Sequence, residues 1–249
     1  MDFGLNMTRR IAVVTGAGRG IGRATALALG LEGYALALIA RSRSELEDTA
    51  ALLLSAGAEA IVLPCDVSDE AEVRAAFDII GAWGSLVVLV NNAGGAKFHP
   101  IAETPLEDWN RAIAVNLTGA FLCCRAAIPL LTLNGSARQA GHRIIINIAS
   151  SAGKKGYPHQ GAYVAAKHGL MGLSKVLAME LREAGVRVHA ICPGGVATRL
   201  AEEVHPDRDR SNWMRPEDIA EVIRFLVTRP AHLTIDEIVI RRFDSDVMF

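Results

Sequence analysis

A chain of 249 residues, of which 51% are apolar, can bury one substantial core, and a single α/β domain over residues 1–249 is expected. Its 26 basic and 27 acidic side chains are interspersed and leave a net charge of −1. No single-sign field therefore exists to hold nucleic acid or an anionic membrane, and a small, roughly neutral partner fits better.

Residues 1–8 lack the basic-then-apolar order of a secretion signal and read as a frayed end. A strand at 11–14 leads to a helix at 20–32, a strand at 35–39 to a helix at 43–56, and a strand at 60–63 to a helix at 69–81. A strand at 86–90 precedes a helical stretch at 106–133, read as one helix or two. Strand 144–148 leads to helix 161–184, strand 186–191 to a charged loop at 199–213 and a helix at 216–228, and the run at 235–240 makes a seventh strand. The strands are apolar throughout, which predicts a doubly wound parallel sheet with helices on both faces. No stretch approaches the roughly 20 uninterrupted apolar residues of a membrane span. Cys65, Cys123, Cys124 and Cys192 have no CxxC or zinc-ligand spacing; they read as buried thiols in a reducing cytoplasm, with no metal site.

In open sheets of this kind a ligand sits beyond the carboxyl ends of the strands, where the strand order reverses. The loop after the first strand reads Thr15-Gly16-Ala17-Gly18-Arg19-Gly20-Ile21-Gly22. Its glycines allow a tight turn and let backbone N–H groups approach a pyrophosphate at the positive end of a helix, as in a Rossmann fold. Where such folds place a carboxylate for the ribose 2′-hydroxyl, the second strand here ends at Arg41, and Arg19 adds a second cation. Both favour NADP(H), with NAD(H) the alternative. Asp66, in Cys65-Asp66-Val67, is placed to accept from an adenine amino group or to serve as an ordinary cap-region carboxylate.

Asn91-Asn92-Ala93-Gly94 follows the fourth strand, and Tyr163-Val164-Ala165-Ala166-Lys167 opens the helix after the fifth. Together with the glycine loop, these motifs in this order make the chain resemble the short-chain dehydrogenase/reductase family, of the short single-domain kind, from about Arg10 to Arg241. Ser150 thirteen residues before Tyr163, Asn116 in Val115-Asn116-Leu117, and Pro193-Gly194 with Val196 and Thr198 belong to the same pattern. The resemblance implies a homodimer or homotetramer, a nicotinamide cofactor touching Asn92, Ala93, Gly94, Val67 and the 193–198 segment, and an alcohol or carbonyl substrate. It also implies that Lys167 bonds the nicotinamide ribose and that Asn116 holds a water relaying protons.

The residue types argue for the same chemistry. Tyr163 and Lys167 are four apart and share a helix face. A nearby ammonium is expected to lower the phenol pKa from about 10 toward the working range, making Tyr163 a proton donor and acceptor. Ser150 would hydrogen-bond the substrate oxygen as charge develops on it, with Ser151 the neighbouring alternative. Gly95, His99, Tyr157, His159 and Gln160 fall in loops that would line a substrate site. The competing reading is a nucleotide-sensing or scaffold protein on the same fold; an intact Ser150, Tyr163 and Lys167 set weighs against it. The tail Ile235–Arg242 lacks the Gly-rich segment of fatty-acid-reductase-like members and does not identify a substrate.

Overall fold

The computed structural model describes residues 9–95, 97–132, 143–204, 207 and 209–245. The apolar runs become the strands β1 (Arg10–Thr15), β2 (Ala35–Ala40), β3 (Ala60–Pro64), β4 (Ser85–Asn91), β5 (Arg143–Ile148), β6 (Val186–Pro193) and β7 (Glu237–Ile240). They pair in parallel in the order β3-β2-β1-β4-β5-β6-β7. The order reverses between β1 and β4, so the loops after these two strands meet at one end of the sheet.

Successive residues of a strand point to opposite faces, and the core divides accordingly. Ile11 and Val13 join one buried cluster with α3 (Glu70–Trp83), α5 (Gly119–Thr132) and α6 (Gly161–Glu180). Ala12 and Val14 join the other with α1 (Gly20–Leu31), α2 (Arg43–Ser55) and α8 (Pro216–Val227). The helix starts follow the chemistry of capping: Ser42 Oγ accepts from Glu45 N at 3.3 Å, and Asp69 Oδ1 from Ala71 N at 2.8 Å and Glu72 N at 3.0 Å.

The stretch after β4 is neither one regular helix nor two separate ones. α4 (Leu106–Ile113) passes through a π turn at Ala114–Thr118 into α5 without a break. These 27 residues are long and apolar enough to cross a membrane by length and composition alone. Leu122, Cys123, Ala127 and Leu131 are instead buried in the core against the sheet.

Of the boundaries that differ from the sequence reading, three bear on the site or its surroundings. The helix expected at 161–184 stops at Glu180. The seventh strand begins at Glu237, not 235; the Ile235 carbonyl receives His189 Nδ1 at 2.6 Å, a side-chain bond rather than a ladder bond. The segment expected to be a charged loop opens as a helix, α7 (Arg199–Val204), in which Thr198 Oγ1 accepts from Ala201 N at 3.3 Å. The frayed end at 1–8 and the apolar tail Val247–Phe249 lie outside the described residues.

Candidate active site

The glycine loop bends because two of its glycines take a conformation that side chains rarely adopt, φ +66° at Gly16 and +53° at Gly20. Space is as restrictive as angle. A Cβ at Gly16 would lie 2.8 Å from Asn92 Nδ2, one at Gly18 2.8 Å from Glu45 Cβ, and one at Gly22 would overlap the Gly16 carbonyl. At the start of α1 the N-cap is Arg19, which makes no side-chain cap, and the first turn carries no acidic residue. The positive helix end is therefore left for an anion. Ile21 is half-buried behind it, and Thr198, from the loop after β6, leans over Gly20 with Cγ2 3.4 Å from where a Cβ would stand.

Thr15 ties this loop to the next. Its Oγ1 accepts from Asn92 N at 2.9 Å and Ala93 N at 3.0 Å, while Asn92 Nδ2 donates to Thr15 O at 2.9 Å. The two strand-end loops at the switch point are thus one hydrogen-bonded unit. On the far side Gly194 N donates to Ile240 O at 2.7 Å, holding the turn after Pro193, and Val196 bridges to Met214.

The basic residues differ in availability. Arg41 is exposed and makes no side-chain hydrogen bond or ion pair among the described residues. Arg19 is paired with Glu45 at 3.2 Å. Asp66 accepts from Ser68 N at 3.0 Å, Ser68 Oγ at 2.6 Å and Arg111 Nη2 at 2.8 Å. Burial works to raise its pKa, but the Ser68 and Arg111 bonds outweigh it and hold the carboxyl at about 2. Asp66 thus closes the Ser68 turn and pairs with Arg111; Val67 beside it is buried, its Cγ2 2.7 Å from a Cβ placed on Gly119.

Tyr163 and Lys167 share a face of α6, with Lys167 Nζ 5.6 Å from the tyrosine ring centroid. Lys167 is buried, and its Nζ donates to Ile148 O at 2.9 Å. Gly94 must be small: a Cβ there would stand 2.7 Å from Asn116 Oδ1 and 3.6 Å from Lys167 Nζ. Ser150 is half-buried at the end of β5, accepts from Ala152 N at 3.1 Å, and bonds to Tyr163 closely enough to pull its pKa down. Ser151 is buried and receives Tyr157 Oη at 2.9 Å. The geometry therefore separates the two serines, placing Ser150 beside Tyr163.

The electrostatics depart from the sequence expectation. The phenol is raised above its ordinary 10.0, because burial outweighs the bond from Ser150. The expected lowering by Lys167 is absent: burial brings the lysine itself down to about 8, so it has already lost its proton where a phenol of raised pKa would titrate. In this state Tyr163 holds its proton.

The remaining candidates spread out. Asn116 lies in the π turn, where its Nδ2 donates to Gly95 O at 2.7 Å and Ala112 O at 2.9 Å, so it braces both the Gly95 loop and the helix bend. His99 forms a parallel bridge with Gln160, but its ring pairs with Asp108 at 3.0 Å. His159 is exposed at φ +65°. Two contributors escaped the sequence reading. Phe98 stacks at a tilt on Tyr163, ring centroids 5.8 Å apart. Asn147 donates to Ser174 Oγ at 2.8 Å and accepts from Asn91 Nδ2 at 2.9 Å, a buried polar chain joining β4, β5 and α6 beneath the site. An asparagine inside the Ile-rich run 144–148 was the available signal.

Comparison with known proteins agrees with this architecture. The short chain dehydrogenase family matches residues 10–209. A 3-oxoacyl-[acyl-carrier-protein] reductase of Synechocystis sp. is 38% identical over 232 residues, covering 90% of this chain and 92% of its own. A D-beta-hydroxybutyrate dehydrogenase of Rhizobium meliloti is 38% identical over 213 residues, covering 84% and 80%. Among solved structures, an alcohol dehydrogenase from the archaeon Thermococcus sibiricus, complexed with 5-hydroxy-NADP, superposes with a TM-score of 0.87 at 30% identity, over 97% of this chain and 100% of that one. Actinorhodin polyketide ketoreductase with NADPH gives 0.85 at 31% identity, over 96% and 98%. With a seven-stranded Rossmann-type sheet, a glycine loop at its switch point and relatives of this identity and coverage, the chain belongs to the short-chain dehydrogenase family of oxidoreductases.

Proposed function

We propose that this protein is an NADP(H)-dependent oxidoreductase that interconverts a carbonyl and an alcohol, with Tyr163 moving the proton. The observation that carries the reading is the meeting of Ser150, Tyr163 and Lys167 beside Gly94, next to a glycine loop tied to the same strand ends. NADP(H) supplies or accepts the hydride when bound. The chain's residues fit it: the uncapped start of α1 suits a pyrophosphate, and Arg41 and Arg19 suit a 2′-phosphate. Solved relatives crystallised with NADP and NADPH support the choice.

Ser150 Oγ, half-exposed, positions the substrate oxygen by hydrogen bonding. Tyr163 Oη gives that oxygen a proton in reduction and takes it back in oxidation. The raised phenol pKa keeps the proton in place at neutral pH, which suits the reducing direction. Lys167, with one N–H on Ile148 O, has donors left for the nicotinamide ribose. Asn116 acts as a positioning residue, because its amide holds Gly95 and the π turn that faces Lys167.

The test is titration of the protein with NADPH and NADH followed by nicotinamide fluorescence. NADPH should bind more tightly, and Arg41→Asp should abolish the difference. Carbonyl reduction should fall about 100-fold to 10,000-fold in Tyr163→Phe while that variant still binds NADPH. If neither coenzyme binds, the oxidoreductase reading loses its basis.

A further inference from the structure

The glycine-loop arginine is shared. Glu45 Oε1 stands 3.2 Å from Arg19 Nη1 and 3.6 Å from Arg199 Nη1, so one carboxylate bridges the coenzyme loop and the first residue of α7. It is held there. Ser42 caps the backbone N–H of Glu45, and Thr49 Oγ1, fully buried, donates to Ala17 O at 3.1 Å. Arg23 bonds Gly18 O and, at 3.5 Å, Glu45 O, so α2 and the glycine loop are fastened together. Gly18 leaves just enough room: a Cβ there would meet Glu45 Cβ at 2.8 Å and Oε2 at 3.2 Å.

We infer that Glu45 is a coenzyme-discriminating residue, a carboxylate that a 2′-phosphate must displace from Arg19 and that Arg199 then receives. The inference rests on the NADP(H) reading given above and adds a residue to it. A 2′-phosphate brings close to two negative charges to a guanidinium that already faces one. Glu45 therefore weakens NADP(H) binding and leaves NAD(H), which has no phosphate there, unaffected. Arg199 moderates the effect, because it offers the displaced carboxylate a cation within the same reach. The pairs are half-exposed, with side-chain exposures of 45% for Arg19, 31% for Glu45 and 60% for Arg199, so the effects are modest and screened by salt.

The experiment measures dissociation constants for NADPH and NADH by fluorescence at fixed ionic strength, on wild type, Glu45→Gln, Arg199→Gln and the double variant, each first shown to melt cooperatively. Glu45→Gln should tighten NADPH by about twofold to fivefold and leave NADH unchanged. Arg199→Gln should act in the opposite direction, weakening NADPH about twofold, because Glu45 then rests on Arg19 alone. In the double variant the loss of Arg199 should have no further effect. A wild type that prefers NADPH to a degree Glu45→Gln leaves unchanged overturns the inference and spares the parent reading. An equal change in both coenzymes overturns it too. Arg199→Gln weakening NADPH as much without Glu45 as with it shows a direct contact and removes the exchange. Failure of wild type and variants alike to bind either coenzyme removes the NADP(H) reading, and this one with it.

Discussion

Replacing Lys167 by methionine should make the protein without coenzyme more stable at neutral pH. The lysine is 3% exposed, and burial lowers its pKa from 10.5 to about 8. A shift of that size corresponds to about 3 kcal/mol of penalty on the charged form. Methionine keeps most of the stem's packing and loses the bond to Ile148 O, which contributes about 1 kcal/mol. The variant should then be more stable than wild type by about 2 kcal/mol at pH 7. At that pH both folded and unfolded wild-type chains carry the ammonium, and the folded chain bears the whole penalty. Between about pH 8 and 10.5 the unfolded chain keeps its proton while the folded chain has lost it, so wild-type stability rises with pH relative to the variant. Urea unfolding of both proteins at pH 7 and pH 10 measures the gap, which should close by pH 10. A variant less stable at pH 7, or a gap that does not change with pH, would refute the reasoning. The trade is of a kind expected where a site needs a buried charge.

Three further outcomes follow from the geometry. Ser150→Ala should lower kcat about 100-fold, whereas Ser151→Ala releases Tyr157 and should act mainly on KM for bulky substrates; steady-state kinetics on both separates them. Asn147→Leu strips a buried partner from both Asn91 and Ser174 and should destabilise by about 2 kcal/mol in urea unfolding; an unchanged midpoint would show that the polar chain is dispensable. Burial pushes the thiols of Cys65 and Cys124 up to about 12 and of Cys192 to about 11, and Cys123 well above its ordinary range. All four should resist a disulfide reagent at pH 8 until the chain unfolds, so fast labelling of native protein would contradict their placement.

What could be read from the sequence was what local physics dictates. The strands announce themselves as unbroken apolar runs, the glycine loop as a run of residues few others could replace, and Tyr163 with Lys167 as a helical i,i+4 pair. What stayed hidden depends on distant partners. Nothing local marks Glu45, on α2, as the partner of Arg19, 26 residues earlier, or Asp108, on α4, as the partner of His99, since both pairings arise only when a loop comes to lie against a later helix. The charges of α7 resemble those of a solvated loop, and the lowering of Lys167 depends on burial that no single position reveals. What sets Ser151 apart from Ser150 is Tyr157, whose hydroxyl donates to it from six residues on, a contact no local pattern shows.

The site's polar residues fall into two groups with different physical demands. Thr15, Asn116 and Asn147 are buried, and each has a hydrogen-bond partner that joins one strand-end loop or helix to another. Ser150 and Tyr163 are half-buried, and the serine is bonded to the phenol at the end of β5. The first group carries a desolvation penalty that only complete bonding offsets, so it rigidifies the strand ends around the pair. In the proposed reaction the second group serves the substrate oxygen. A substitution in the first group should therefore shift stability and geometry together, and one in the second should remove chemistry from a site that still forms.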